Sequence, residues 1–136
     1  MKNKPPAEEV AGPQVVTFDA ILPPSMAVRA EQSGIKRAAT DPLIVLVLSV
    51  LAGAFVAFGA IFATTVTAGA GLPYGVGRLL TGLVFSVGLI MVIIAGAELF
   101  TGNNLIVMAW ASGKVKGRAV LMNWVLSFAG NFVGAF

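Results

Sequence analysis

Residues 95–104 read Ala95-Gly96-Ala97-Glu98-Leu99-Phe100-Thr101-Gly102-Asn103-Asn104, and they stand inside a long apolar region. From Leu79 to Gly113, Glu98 is the only charged residue in 35. Gly96 and Gly102 flank it, and Thr101, Asn103 and Asn104 add polar side chains at once. A charge at bilayer depth costs about 2.5 kcal/mol or more, so it must face protein or water. Irregular backbone at that depth is tolerated only where it is packed in protein or lines a cavity. The stretch therefore reads as a break, over 96–104, in a membrane helix that lines a permeation path.

Composition agrees with a membrane setting. The 136 residues are 57% hydrophobic and 11% charged, with a mean hydropathy of +0.91. Soluble domains carry about 25% charged residues. No cysteine is present, which excludes disulfides and thiolate metal sites. No histidine is present either, which removes the usual metal ligand and proton shuttle. No nucleophile–base pair or metal cluster stands out, so the sequence predicts no enzyme, no catalytic residue, no metal and no cofactor.

The net charge is +3. Its basic residues are scattered rather than gathered in a patch, so nucleic acid is not an expected partner. They sort instead by topology. Lys2, Lys4, Arg29, Lys36 and Arg37 precede the first apolar run, and Lys114, Lys116 and Arg118 follow the second. Arg78 stands alone between the first two runs. The positive-inside rule puts the N-terminus and the Lys114 loop in the cytoplasm, and the glycine-rich 69–77 loop outside.

Working outward, residues 1–16 read as a disordered cytoplasmic tail rich in Pro, Glu and Lys. Residues 17–40 read as a short surface amphipathic helix and linker. Prolines open that helix, Gly34 is its expected stop, and Met26, Ala27 and Ala30 share a face. The transmembrane region is 41–136. Its first span is expected at 42–66, with Asp41 as N-cap and Pro42 at the first helical position. Ser49, Gly53, Ala57, Ala60 and Thr64 form a small-residue stripe along it, which suits close helix packing in a membrane. The second span is expected at 78–111, interrupted at 96–104. The third is expected at 119–136, with Asn123, Ser127, Gly130 and Gly134 on one face. Asn123 and Asn131 are expected to bond neighbouring helices, because an unpaired amide in hydrocarbon is costly. Three spans and an apolar Gly-Ala-Phe ending suggest a truncated protein or half of a larger fold.

Four candidate sites follow from the residues themselves. Thr101 offers a hydroxyl to an anion, or caps the second half-helix. Asn103 and Asn104 begin that half-helix, whose positive dipole end favours an anion; plain capping is the other reading. Glu98 is read as a structural acceptor that pins the loop through backbone N–H groups; a proton carrier is the alternative, and an acid lining an anion pore would repel its substrate. Phe85 and Leu89 lie one turn apart on one face and, by composition, are ordinary packing residues.

A resemblance adds to this. Phe18-Asp19-Ala20-Ile21-Leu22-Pro23-Pro24-Ser25-Met26-Ala27, the 97–103 stretch, Ala109-Trp110-Ala111-Ser112-Gly113-Lys114, Asn123-Trp124, and Gly130-Asn131-Phe132-Val133-Gly134-Ala135 occur in this order. Together they resemble the N-terminal half of the formate/nitrite transporter family over residues 17–136. The resemblance implies an all-α, aquaporin-like helical bundle with three of six spans present and the second broken by a pore loop. It implies a homo-pentamer in the bacterial inner membrane, with one pore per protomer for small monovalent anions such as formate, nitrite or hydrosulfide. By the same match Thr101 faces the pore centre, Leu99 lies near it, and Phe85 with Leu89 forms an apolar constriction. The family's pore histidine belongs to a fifth span, which these residues do not include. The expected function is therefore a channel or transporter for small monovalent anions, with proton coupling a further expectation. The alternatives are a non-conducting fragment or assembly subunit, and an aquaporin-like neutral solute pore, which the absence of an Asn-Pro-Ala motif at the break disfavours.

Overall fold

The computed structural model describes residues 23–136. The tail expected over 1–16 and the 18–22 part of the first motif lie outside them. Among the described residues every regular element is helical: α1 (Pro23–Ala38), α2 (Pro42–Thr67), α3 (Tyr74–Ile94), α4 (Phe100–Asn103), α5 (Ile106–Ala111) and α6 (Gly117–Ala135). Among the described residues, only α2 and α3 are long and apolar enough, on length and composition, to cross a membrane. The sequence suggests a third span over 119–136. There α6 has 19 residues but carries Arg118 in its first turn, with Asn123, Ser127 and Asn131 beyond.

α1 differs from its expected form. It runs straight through Gly34 instead of stopping there. Gly34 is buried, and a Cβ on it would lie 3.1 Å from both Ile106 Cα and Ala109 Cβ. The glycine is present for close approach to α5, not for a left-handed turn. The docked face is Ala30, Glu31, Gly34, Ile35, Arg37 and Ala38, at helical spacing, while Met26 and Ala27 stay exposed. α1 packs on α5 and α6. Its middle is tied by Glu31, which pairs with Lys114 Nζ and accepts from Ser112 Oγ at 3.2 Å. The Lys114 ammonium, donating to the Glu31 carboxylate, holds that carboxyl below its ordinary value of 4.5.

α2 starts where Asp41 and Pro42 require. Asp41 Oδ1 accepts from the Leu43 N–H at 2.9 Å and the Ile44 N–H at 3.4 Å, which satisfies donors at the helix start that have no partner within the helix. The helix then serves two neighbours. Against α6, Gly53 meets the Asn131 backbone and Gly130 meets Ser49 Cβ, 2.5 Å from a built Cβ. Gly134 likewise meets the Val50 backbone. No side chain larger than hydrogen fits at these three points without moving the backbones apart. Against α3, a Cβ on Gly59 would lie 2.9 Å from Phe85 O, and one on Gly88 2.7 Å from Phe55 O. The predicted single stripe from Ser49 to Thr64 therefore holds only through Ala57, which is half-buried. Beyond it Ala60 and Thr64 are exposed, and Gly59 and Ala63 are buried instead. The packing face shifts because α6 covers the first half of α2 and α3 the second. The α6 stripe of Asn123, Ser127, Gly130 and Gly134 is buried or half-buried as its spacing predicts.

α3 begins at Tyr74, earlier than the expected start near Arg78, because Pro73 supplies the N-cap position. Much of its surface is free of contact with the other described residues, among which it buries only Gly88 and Val92.

Candidate pore loop and cavity

The break between α3 and α4 is built from ordinary helix-ending chemistry. Gly96 takes φ +63. Its N–H donates to Ile93 O at 3.2 Å, and the Ala97 N–H donates to Val92 O at 3.0 Å. This is a Schellman ending, with its usual apolar contact made by Ala97 on Val92 and Ala52. Leu99 is extended (φ −93, ψ 130), and α4 follows as a single turn. Bonds from Leu105 N–H to Gly102 O and from Val107 N–H to Asn104 O join α4 to α5. These span three residues, so the junction is tightened toward 3₁₀ form. The second half is thus two short pieces, where one helix over 104–111 was expected.

One side chain from α6 holds the break. Asn131 Oδ1 accepts from the Phe100 N–H at 2.8 Å. Its Nδ2 donates to Ser49 O at 2.7 Å and to Glu98 O at 3.0 Å. Glu98 N–H donates to Leu48 O at 3.2 Å. The Phe100 ring packs edge-on against Phe128, centroids 5.7 Å apart.

A second set of bonds closes into a ring. Arg37 Nη1 donates to Glu98 Oε2 at 3.2 Å and also to Asn103 Oδ1. Asn103 Nδ2 donates to Asn123 Oδ1 at 2.9 Å, and Asn123 Nδ2 returns to Arg37 O at 3.4 Å. Trp124 Nε1 adds a bond to Asn103 O at 3.2 Å. The Glu98 carboxylate is therefore held by a guanidinium, not by the backbone N–H groups that the sequence suggested. Intramembrane acids characteristically pair with a cation. Arg37 was legible only as one of several basic residues ahead of the first span. The signal that points to it is Glu98 itself, a lone acid that requires a partner.

Arg37 also opens onto a cavity of about 420 Å³ beside the break. Leu89, Gly96, Leu99, Thr101 and Gly102 line it with the guanidinium, which keeps 30% of its side-chain surface exposed against 13% for Glu98. A Cβ on Gly102 would stand 3.4 Å from Arg37 Nη1, so the glycine leaves room for that side chain. Thr101 and Leu99 form a ridge, since both also line a largely apolar hollow between α2 and α6 with Gly53, Phe100 and Phe128. Of the residues singled out from sequence, Leu89, Leu99 and Thr101 meet at one cavity. Phe85 does not line it and sits half-buried at the crossing of α2 and α3. Asn103 is fully buried in the polar ring. Neither α4 nor α5 has a side-chain cap, which removes the capping reading of Thr101, Asn103 and Asn104. The Thr101 hydroxyl is exposed and has no hydrogen-bond partner among the described residues.

The family model described as Formate/nitrite transporter matches residues 24–136. The chain is 41% identical over 119 residues to the formate channel FocA of Escherichia coli (strain K12), covering 87% of this chain and 42% of that protein. It is 39% identical over 122 residues to the formate channel FocA of Haemophilus influenzae, covering 89% and 43%. It is 50% identical over 98 residues to a probable formate transporter of Methanothermobacter thermautotrophicus, covering 67% and 35%. The chain thus spans less than half the length of these relatives.

Proposed function

The chain belongs to the formate/nitrite transporter family, an integral membrane protein by that membership and its two apolar helices, and from that premise we propose that it forms part of a pore for small monovalent anions of the formate or nitrite class. The observation that carries this reading is the meeting of Arg37, Leu89, Leu99 and Thr101 at one cavity beside a broken helix.

The chemistry of that cavity suits such an ion. Arg37 supplies a positive charge that is partly open to the cavity and partly balanced by Glu98. A fully unbalanced cation would bind the anion too firmly to release it, and conduction requires binding weak enough to leave. Leu89 and Leu99 give an apolar wall that disfavours a fully hydrated ion. Thr101 offers an unspent hydroxyl that donates to a carboxylate or accepts from a protonated acid. In the proposed order, the anion is attracted by Arg37, loses part of its water at the two leucines and then contacts Thr101. Proton exchange with a histidine in further chain, pentameric assembly and an inner-membrane setting with the N-terminus in the cytoplasm belong to the same proposal. So do an aquaporin-like bundle and the membrane crossing of α6.

The test is flux of formate, nitrite and hydrosulfide, offered separately, into liposomes holding the 136-residue chain. Flux that falls at least tenfold in Thr101→Ala, with the protein still folded, supports the pore role. Unchanged flux in Thr101→Ala removes that residue from the path. A second reading, a non-conducting fragment or assembly subunit, is favoured by the exposed face of α3, of whose residues only Gly88 and Val92 are buried among the described residues. It predicts folded, inserted protein with no flux of any anion.

A further inference from the structure

Two tryptophans, Trp110 of α5 and Trp124 of α6, line a cleft of about 140 Å³ together with Gly117, Val120 and Leu121. A Cβ on Gly117 would stand 3.3 Å from Trp110 Nε1, so the glycine leaves room for that indole. Trp124 spends its indole N–H on Asn103 O at 3.2 Å, which fixes its ring to the break. Trp110 is exposed, and its indole N–H has no acceptor among the described residues.

The mouth of the cleft is basic. Among the described residues the acids are Glu31, Asp41 and Glu98. Glu31 pairs with Lys114, Glu98 pairs with Arg37, and Asp41 caps α2. Lys116 and Arg118 are thus left without an acid among these residues, and both are exposed. They stand directly before and after Gly117, so two unpaired cations flank that end of the cleft.

An apolar track leads away from them. Leu121, Trp124 and Phe128 follow Gly117 on one face of α6, at helical spacing. Leu121 and Phe128 are exposed. From Gly117 to Phe128 the axis runs about 16 Å, close to the roughly 15 Å depth of hydrocarbon in one leaflet. Cations at one end, tryptophans beside them and an exposed apolar strip beyond match the order of layers in a single leaflet.

We propose that this cleft binds an anionic phospholipid, of the phosphatidylglycerol kind, from the leaflet that the 112–118 loop faces. Its phosphate lies between Lys116 and Arg118 and accepts from the Trp110 indole, and one acyl chain follows Leu121 and Trp124 toward Phe128. Basic pockets beside membrane helices suit anionic head groups. A zwitterionic lipid fits the same apolar track but brings its own ammonium, so charge selects between the two. The proposal needs the membrane setting and not the transport reading.

The experiment places the 15N-labelled chain in phosphatidylcholine nanodiscs and raises the phosphatidylglycerol content stepwise. The readout is the Trp110 indole N–H resonance, identified by its loss in Trp110→Phe. The expected result is a saturable shift that needs about tenfold more phosphatidylglycerol once Lys116→Gln and Arg118→Gln are combined. The charge-keeping pair Lys116→Arg with Arg118→Lys retains the parent response. Arg78→Gln, which removes a charge at the far end of α3, also leaves it unchanged. No shift overturns the proposal. So does a shift that the double glutamine variant shares, or one that Arg78→Gln weakens equally, because general surface charge then explains it. The same shift with inorganic phosphate in pure phosphatidylcholine discs overturns it in favour of a free-anion site. A shift that follows the number of chains per disc rather than the lipid overturns it in favour of a second copy covering the cleft.

Discussion

Near each end of α3 an arginine stands beside a cavity, Arg37 from α1 at the break and Arg78 of α3 itself at the other end, and the two are held in opposite ways. At the break, Arg37 is bound to Glu98 and Asn103, and its own carbonyl receives Asn123, so three parts of the fold meet on one residue. At the other end Arg78 rests on Tyr74, one turn away on the same helix. The first arginine is structural as well as electrostatic. The second carries almost none of the fold. The contrast shows how one residue type can serve a membrane protein as a tie or as an open charge, depending on whether an acid is buried with it.

The strongest way to break this comparison is to truncate both arginines and compare thermal unfolding in detergent. Arg37→Ala leaves Glu98 without its counter-charge in a mostly buried position and is expected to cost about 3 kcal/mol. Arg78→Ala, at an exposed position without tertiary partners, is expected within about 0.5 kcal/mol. Equal losses would mean that Arg78 supports the fold. Next in size, Asn131→Leu leaves the Phe100 N–H, Glu98 O and Ser49 O to find other partners, an expected loss of about 2 kcal/mol by the same measurement. A loss under about 0.5 kcal/mol would mean that water replaces the amide at the break. Smaller again, Gly96→Ala forces a left-handed alanine and is expected to cost about 1 kcal/mol. Its counterpart at the loose end, Gly75→Ala, meets open space in an ordinary helical position and is expected to stabilise by about 0.5 kcal/mol. The smallest effect concerns Glu31. Its carboxyl titrates below 4.5 when folded, so the Lys114 link is present in full above that value and is lost as pH falls through the lowered one. Unfolding temperatures at pH 7 and pH 3 should therefore differ slightly less in Lys114→Ala than in the parent chain.

Much of this fold is legible because its signals are local. Asp41-Pro42 sets the start of α2 by its own chemistry, and the α6 stripe follows from spacing alone. The break is announced by Glu98 between Gly96 and Gly102. Other features depend on which helix lies alongside. Gly34 as a stop and Gly34 as a close contact are the same letter in the sequence, and only the presence of α5 decides between them. The stripe on α2 changes neighbours at its middle, which no single period expresses. For the cavity, Leu99 and Thr101 were legible through the motif. Arg37 was not, because its partner lies 61 residues away and nothing local distinguishes it from Lys36.

Asn131 bears on whether the broken helix is portable. The residues that look like the break, 96–104, supply its turn and its room, but the carbonyl and N–H groups freed there are satisfied from α6 and α2. Spliced alone into another apolar span, that segment would face hydrocarbon with those groups unpaired, and a continuous helix would be its lower-energy form. The interruption is thus a property of three helices, and any transplant of it must carry the asparagine with it.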